Sequence, residues 1–183
     1  MCTLLVVDNG SVYTKNLTDF LLTKKIKFTS FSHNTLELSE IPKFTSFILS
    51  GRRTNNKQMN ALNSKIIKHA VLEKKPLLGI CYGVEILALT LGGTIRKTDS
   101  LLKGEQEVKI VKDNPICSGT IKVFQSHHYE ISRLDSTLSS IGKSENCLYE
   151  IVQHNNLNIF GTQFHPEMTK DGQSIIEAFT SIK

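Results

Sequence analysis

The run Pro76-Leu77-Leu78-Gly79-Ile80-Cys81-Tyr82-Gly83-Val84-Glu85-Ile86-Leu87-Ala88-Leu89-Thr90-Leu91-Gly92-Gly93 sets the architecture of this chain. Residues 76–80 form a short apolar run opened by proline and read as a buried strand. Residues 84–91 follow at once as an apolar helix, which Gly92-Gly93 stops. A strand that passes directly into a helix puts residue 81 on a tight turn at the carboxyl end of a sheet, where open α/β folds bind ligands. Gly79 and Gly83 flank that position and allow both the sharp turn and the close approach of strand and helix. The Cys81 side chain is thereby pushed into the crevice. The positive end of the helix dipole behind it favours an anionic sulfur, the form that acts as nucleophile. Cysteine is also a common buried filler. That reading suits Cys2, Cys117 and Cys147, which lack the flanking glycines.

Outward from this unit, strand-like runs alternate with amphipathic stretches. Residues 4–8 read as a strand, and residues 12–23 carry Val12, Leu17, Phe20, Leu21 and Leu22 along a helix face. Residues 26–31 form another short strand. Pro42 breaks the chain before a third apolar run, 44–49, which ends in Ser50-Gly51. Residues 59–73 are the clearest helix, with Leu62, Ile66, Ile67, Ala70 and Val71 at i, i+3 and i+4 spacings. This β-α-β-α rhythm predicts an α/β fold with a mainly parallel central sheet and helices on both faces. The second half changes character. Short strands at 107–111, 120–124, 147–154 and 159–163 succeed one another, with Asn155-Asn156 as a hairpin turn, and predict a small antiparallel sheet. A helix over 174–182 closes a single domain spanning residues 1–183, with no repeat or linker.

Composition narrows the function classes. The chain has 183 residues, 39% hydrophobic and 21% charged, an ordinary balance for one packed core. No window approaches 18 consecutive apolar residues, so no membrane-spanning helix is expected. The first eight residues have no basic region ahead of their apolar run and read as a strand, not a signal peptide. A reducing, cytoplasmic setting is the expectation, and the four cysteines show neither a C-x-x-C pair nor metal-ligand spacing. The net charge of +5 comes from scattered lysines, and aromatics are 7% with no Trp. A base-stacking nucleic-acid surface is therefore not indicated. A solvated basic face, or one that docks an acidic partner, fits better. There is no Gly-rich phosphate loop, and His33, His69, His127, His128 and His154 show no ligand spacing. Neither a cofactor nor a metal is expected.

A second constellation joins Cys81. In Ile159-Phe160-Gly161-Thr162-Gln163-Phe164-His165-Pro166-Glu167 a strand ends in two ionisable residues one position apart. Pro166 holds His165 extended, which sets His165 and Glu167 on the same side. Glu167 can then accept from one imidazole nitrogen while the other faces the thiol. This is the nucleophile, base and orienter arrangement.

Gly79-Ile80-Cys81-Tyr82-Gly83 and Gly161-Thr162-Gln163-Phe164-His165-Pro166-Glu167 closely resemble the two signatures of class I glutamine amidotransferases. Ser126-His127-His128-Tyr129-Glu130 and the opening Val7-Asp8-Asn9-Gly10-Ser11-Val12-Tyr13 resemble segments of the glutaminase subunit of GMP synthetase, end to end along the chain. The resemblance implies a flavodoxin-like class I glutaminase fold. It implies that Cys81 attacks the side-chain amide of L-glutamine, with His165 as base and Glu167 orienting it. The backbone amides of Tyr82 and of Arg52, in the loop Ser50-Gly51-Arg52, would form the oxyanion hole. Glu85, Ser126 and His127 would line the substrate site. With no room for an ATP-dependent synthetase domain, that partner would be a separate chain.

Three positions depart from the family pattern. The loop usually reads Ser-Gly-Gly-Pro, and here it reads Ser50-Gly51-Arg52-Arg53, whose Cβ-bearing Arg52 would be strained at positive φ. The two arginines suit either a bound carboxylate or phosphate, or plain exposure. Glu85 replaces a Gln: it can accept from an α-ammonium group but would repel an α-carboxylate. Tyr129 stands in place of an Asp on the partner-facing side. Two alternatives follow: a stand-alone γ-glutamyl or other amide hydrolase, and a catalytically quiet binding or regulatory subunit. The intact Cys81, His165 and Glu167 argue against the second.

Overall fold

The computed structural model describes residues 3–182, and Cys2 lies outside them. Four strands in the first half, β1 (Leu4–Asn9), β2 (Phe28–Ser32), β3 (Ser46–Arg52) and β4 (Leu77–Ile80), alternate with α1 (Thr14–Thr23), α2 (Lys57–Leu72) and α3 (Tyr82–Thr90). The second half holds β5 (Thr94–Ile110), β6 (Thr120–Arg133), β7 (Leu138–Lys143), β8 (Ile151–His154), β9 (Ile159–Thr162) and α4 (Lys170–Thr180).

All nine strands among the described residues join one sheet in the order β2-β1-β3-β4-β9-β8-β7-β5-β6. From β2 to β9 the neighbours are parallel, and from β9 to β6 they are antiparallel. The expectation of a mainly parallel sheet with a separate small antiparallel one is thus corrected to a single mixed sheet. The reason lies in the last hairpin. Its turn holds β8 antiparallel to β9, while β9 inserts beside β4 in the parallel sense and fuses the two halves.

Period-two alternation covers both faces of this sheet. Leu4 and Val6 of β1, with Ile48 and Phe160, pack against Leu17 and Leu21 of α1 and Ile175, Ile176 and Phe179 of α4. Leu5 and Val7, with Phe47 and Leu49, pack on the other face against Ile66 and Ile67 of α2 and Val84 and Leu87 of α3. The helices thus lie on both faces, as the alternation predicts. Asn56 caps α2 by accepting from the Gln58 and Met59 amides, and Thr169 caps α4 by accepting from Gly172. Among the described residues no helix is long and apolar enough to cross a membrane.

The β5–β6 ribbon is much longer than the expected strands at 107–111 and 120–124. Most of β5 is exposed; burial alternates over residues 101–110, but Lys103-Gly104-Glu105-Gln106 interrupts the apolar residues, so only the end near 107–111 reads as a strand. The ladder itself, from Thr94↔Arg133 to Lys109↔Thr120, specifies it, with an irregularity between Lys97 and Leu102. Cys147 is buried and Cys117 half-buried, both as free thiols, and burial pushes the Cys117 thiol up to about 11. Neither has the setting of a nucleophile.

Candidate active site

Cys81 stands between β4 and α3 with φ 52° and ψ −106°, a backbone conformation that L-residues rarely adopt. The neighbouring glycines make the turn fit. A Cβ at Gly79 would lie 2.5 Å from the Gly83 carbonyl group, and one at Gly83 would lie 2.4 Å from the Leu49 oxygen. Both positions are closed to any side chain. The Cys81 thiol points at the Ser126 carbonyl, which accepts from it at 3.9 Å.

His165 reaches the same place from the chain just beyond β9. Its amide donates to the Phe124 carbonyl at 2.8 Å, an isolated antiparallel bridge that ties it to β6. Its Nδ1 lies 2.9 Å from Glu167 Oε1, and the ring also hydrogen-bonds the Cys81 sulfur. Burial works against the charged imidazole. The Cys81 sulfur and the Glu167 carboxylate outweigh it and hold the His165 pKa well above the ordinary 6.5. All three side chains are buried. The three predicted catalytic residues therefore come together in contact.

A cavity of about 540 Å³ opens on Cys81 and His165. Arg52, Tyr82, Glu85, Ser126 and His127 line it, together with Tyr13 and Tyr129. Tyr82 is the first residue of α3, whose opening amides have no acceptor within the helix. Gly51 backs onto the His165 ring: a Cβ there would sit 2.9 Å from His165 Cε1.

The segment expected to be a loop, Ser50-Gly51-Arg52, is instead the end of β3. A buried polar network extends the strand. The Asn9 amide donates to Ser50 Oγ at 2.9 Å, and Asn9 Nδ2 donates to the Ser50 carbonyl and to Asn63 Oδ1. Asn63 Nδ2 returns a bond to Asn9 Oδ1. Arg52 is not at positive φ: among the described non-glycine residues that conformation belongs to Lys25, Lys74 and Cys81. The strain expected at Arg52 is absent.

The two departures at residues 52 and 85 meet. The Arg52 guanidinium lies 4.4 Å from the Tyr82 ring centre and 3.7 Å from the Glu85 carboxylate. Gln163 Nε2 also donates to Glu85, at 3.4 Å. Glu85 is 4% exposed. Burial pushes its pKa up to about 7, against the pull of Arg52, Gln163 and His165. Arg53 is exposed.

Sequence reasoning assigns no role to Tyr13, whose ring centre lies 4.5 Å from that of His165 and whose hydroxyl donates to Ser126 Oγ at 3.4 Å. It also passes over Gln163, and Asn60, which accepts from the Tyr82 hydroxyl at 2.8 Å. The motif around residue 13 pointed to the place, but the ring contact depends on how α1 meets the β9 end. Among the described residues no cluster of three His, Cys, Asp or Glu side chains could hold a metal.

Comparison with known proteins fits this geometry. The glutamine-hydrolyzing GMP synthase subunit of Pyrococcus furiosus is 29% identical over 98% of this chain and 97% of its own length. Its counterpart from Thermococcus kodakarensis is 30% identical with the same coverage. A crystal structure of a Thermoplasma acidophilum protein assigned to the same GMP synthase subunit superposes with a TM-score of 0.87 at 26% identity, covering 98% of this chain and 92% of that one. The family model for glutamine amidotransferase class-I matches residues 5–181, and the chain belongs to that family.

Proposed function

We propose that this chain hydrolyses the side-chain amide of L-glutamine through Cys81, His165 and Glu167, and supplies the ammonia to a separate ATP-dependent synthetase that makes GMP. The observation that carries the reading is the line of contacts from Cys81 through the His165 ring to Glu167 at the wall of one cavity. The two GMP synthase relatives from Pyrococcus and Thermococcus support the choice of partner reaction.

The Cys81 thiolate attacks the amide carbon, and the carbonyl electron pair moves to oxygen. Backbone amides of Tyr82 and of the Gly51–Arg52 segment are the donors for that oxyanion. The tetrahedral species collapses as the His165 imidazolium gives its proton to the departing nitrogen, releasing ammonia and leaving a glutamyl thioester. His165, now neutral, takes a proton from water, whose oxygen attacks the thioester. Collapse returns glutamate and the Cys81 thiolate beside imidazolium. Glu167 keeps the imidazole oriented and stabilises its charged form throughout. Ser126, His127 and Glu85 line the substrate side of the cavity.

A second reading keeps this machinery and changes the amide. The Arg52–Glu85 pair in the cavity lining favours it, because a charged pair there alters which substrate groups the pocket accepts. The test is GMP formation from xanthosine monophosphate and ATP by the partner synthetase with glutamine as the nitrogen source. Glutamine-dependent GMP that appears only when this chain is present supports the first reading. Turnover of other amides, with glutamine untouched, supports the second.

A further inference from the structure

Behind the Ser126–His127 wall lies a buried chain of polar groups that the mechanism above does not use. Glu150 is fully buried beside β8. Gln125 Nε2 lies 2.8 Å from each of its carboxyl oxygens, and Ser144 donates to it at 2.7 Å. The other end of the Gln125 amide, Oε1, meets His127 Nε2 at 3.0 Å, and His127 Nδ1 meets the Tyr129 carbonyl at 2.8 Å. Gln125 and His127 flank Ser126, the residue whose carbonyl accepts from the Cys81 thiol. The Glu150 carbonyl also accepts from the Gln163 amide, two residues before His165. One buried residue is thus bonded to both segments that converge on Cys81, through its carboxyl group to Gln125 and through its backbone carbonyl to Gln163.

We propose that Glu150, acting through the Gln125 amide, is a positioning residue for the amide hydrolysis: it locks the His127 ring and the Ser126 carbonyl against Cys81. The inference rests on the glutaminase reading. The protonation pattern follows from counting donors. With Gln125 Nε2 on Glu150, both His127 nitrogens face acceptors, so the ring must be an imidazolium facing a carboxylate. The two orientations of an amide are isosteric. Turned over, Gln125 accepts from a protonated Glu150 and donates to a bare His127 Nε2, while Nδ1–H donates to Tyr129. The links from Glu150 to Gln125, from Gln125 to His127 and from His127 to Tyr129 all survive, one of the two Gln125 contacts with the carboxyl oxygens is given up, the proton count is the same, and two buried charges disappear. Burial favours that neutral form at both ends, raising the Glu150 pKa and lowering that of His127. Glu150 therefore acts as a neutral acid that fixes His127 as the Nδ1–H tautomer.

The experiment is nitrogen-15 NMR of histidine-labelled protein, with glutaminase kinetics and the rate of Cys81 alkylation by iodoacetamide. Glu150→Gln reproduces the donor and acceptor of the neutral acid. It should keep the Nδ1–H tautomer, with KM and alkylation rate within twofold. Glu150→Leu should mix the tautomers, raise KM at least tenfold with a smaller change in kcat, and alter the alkylation rate at least threefold. Gln125→Met cuts the same chain and should do likewise should Glu150→Leu fail to fold. An imidazolium signal in the wild type, or a Glu150→Gln loss as large as that of Glu150→Leu, would overturn the proposal. So would unchanged tautomer, KM and alkylation in both chain-cutting variants. Should the wild type leave glutamine intact while ring and alkylation respond as stated, the glutaminase reading fails and the positioning role stands.

Discussion

The Arg52 guanidinium stands 3.7 Å from the carboxylate of Glu85, joining the end of β3 to the first turn of α3 in the lining of the cavity that holds Cys81. Arg52 is mostly covered, Glu85 almost wholly so, and the Tyr82 ring lies under the guanidinium. Removing one partner leaves the other without its charge complement in a desolvated place.

Glu85 therefore makes stability depend on pH. Its folded pKa of about 7 lies above the ordinary 4.5. Its contribution is fully present below the ordinary value and is lost as pH rises through about 7. Glu85→Gln removes this dependence while keeping the side chain's size. At pH 8 the variant should exceed the wild type by roughly 2–3 kcal/mol relative to their difference at pH 4.5, from about 1.4 kcal/mol per pKa unit. Urea denaturation at the two pH values measures it, and parallel pH profiles would refute it.

The strained turn at Cys81 reverses an ordinary ranking. Alanine is normally the more stabilising residue, but φ 52° with ψ −106° is open mainly to glycine. Cys81→Gly should be about 1 kcal/mol more stable than Cys81→Ala, a melting difference of about 2–4 °C for a chain of this size. Both should lack activity. Calorimetry on the pair decides it.

Much of this site was legible in the sequence, because its signals are local. Gly79 and Gly83 announce the turn, and Pro166 announces the spacing of His165 and Glu167. The parallel half of the sheet was legible for the same reason: each strand is followed by its own helix. The single sheet was not, since fusion at β4–β9 joins segments far apart in sequence and leaves no local pattern. Only the end of β5 near residues 107–111 was legible, because Lys103-Gly104-Glu105-Gln106 interrupts the apolar residues further up the strand. Arg52 and Glu85 were each visible as departures, yet their pairing depends on how α3 lies against β3. The Gln125–Glu150 contact likewise appears only once β6 and the β8–β9 hairpin are in place.

Glu167 should set the alkaline limit of activity. Burial works against the His165 imidazolium, and the Glu167 carboxylate joins Cys81 in holding its pKa well above 6.5. Glu167→Gln removes that charge, so the imidazolium loses its proton at lower pH. The alkaline limb of kcat/KM should move to lower pH, and kcat should fall by roughly 10- to 100-fold. The folded state loses the stability this raised pKa provides, which is present below about 6.5 and fades as pH rises through the folded value. A pH–rate profile with an unshifted alkaline limb would contradict the assignment.

Asn63 should matter to the reaction without touching it. It bonds Asn9, and Asn9 bonds both the hydroxyl and the carbonyl of Ser50, next to the oxyanion segment. Asn63→Ala leaves the buried Asn9 Oδ1 without its donor and takes one of the two acceptors from Asn9 Nδ2. It should cost about 2–3 kcal/mol in stability and lower kcat more than it raises KM. Denaturation and steady-state kinetics on one preparation test both parts. A loss of stability with unchanged kcat would separate this network from the oxyanion segment.

The decisive measurement is ammonia release from L-glutamine by the purified chain, with Cys81→Ala as control, alone and with the partner synthetase, ATP and xanthosine monophosphate. Release should require Cys81, fall at least a thousandfold in the variant and rise when the synthetase is added. Release that persists in Cys81→Ala, or no release from glutamine in either condition, would contradict the assignment of Cys81 as the nucleophile of a glutaminase.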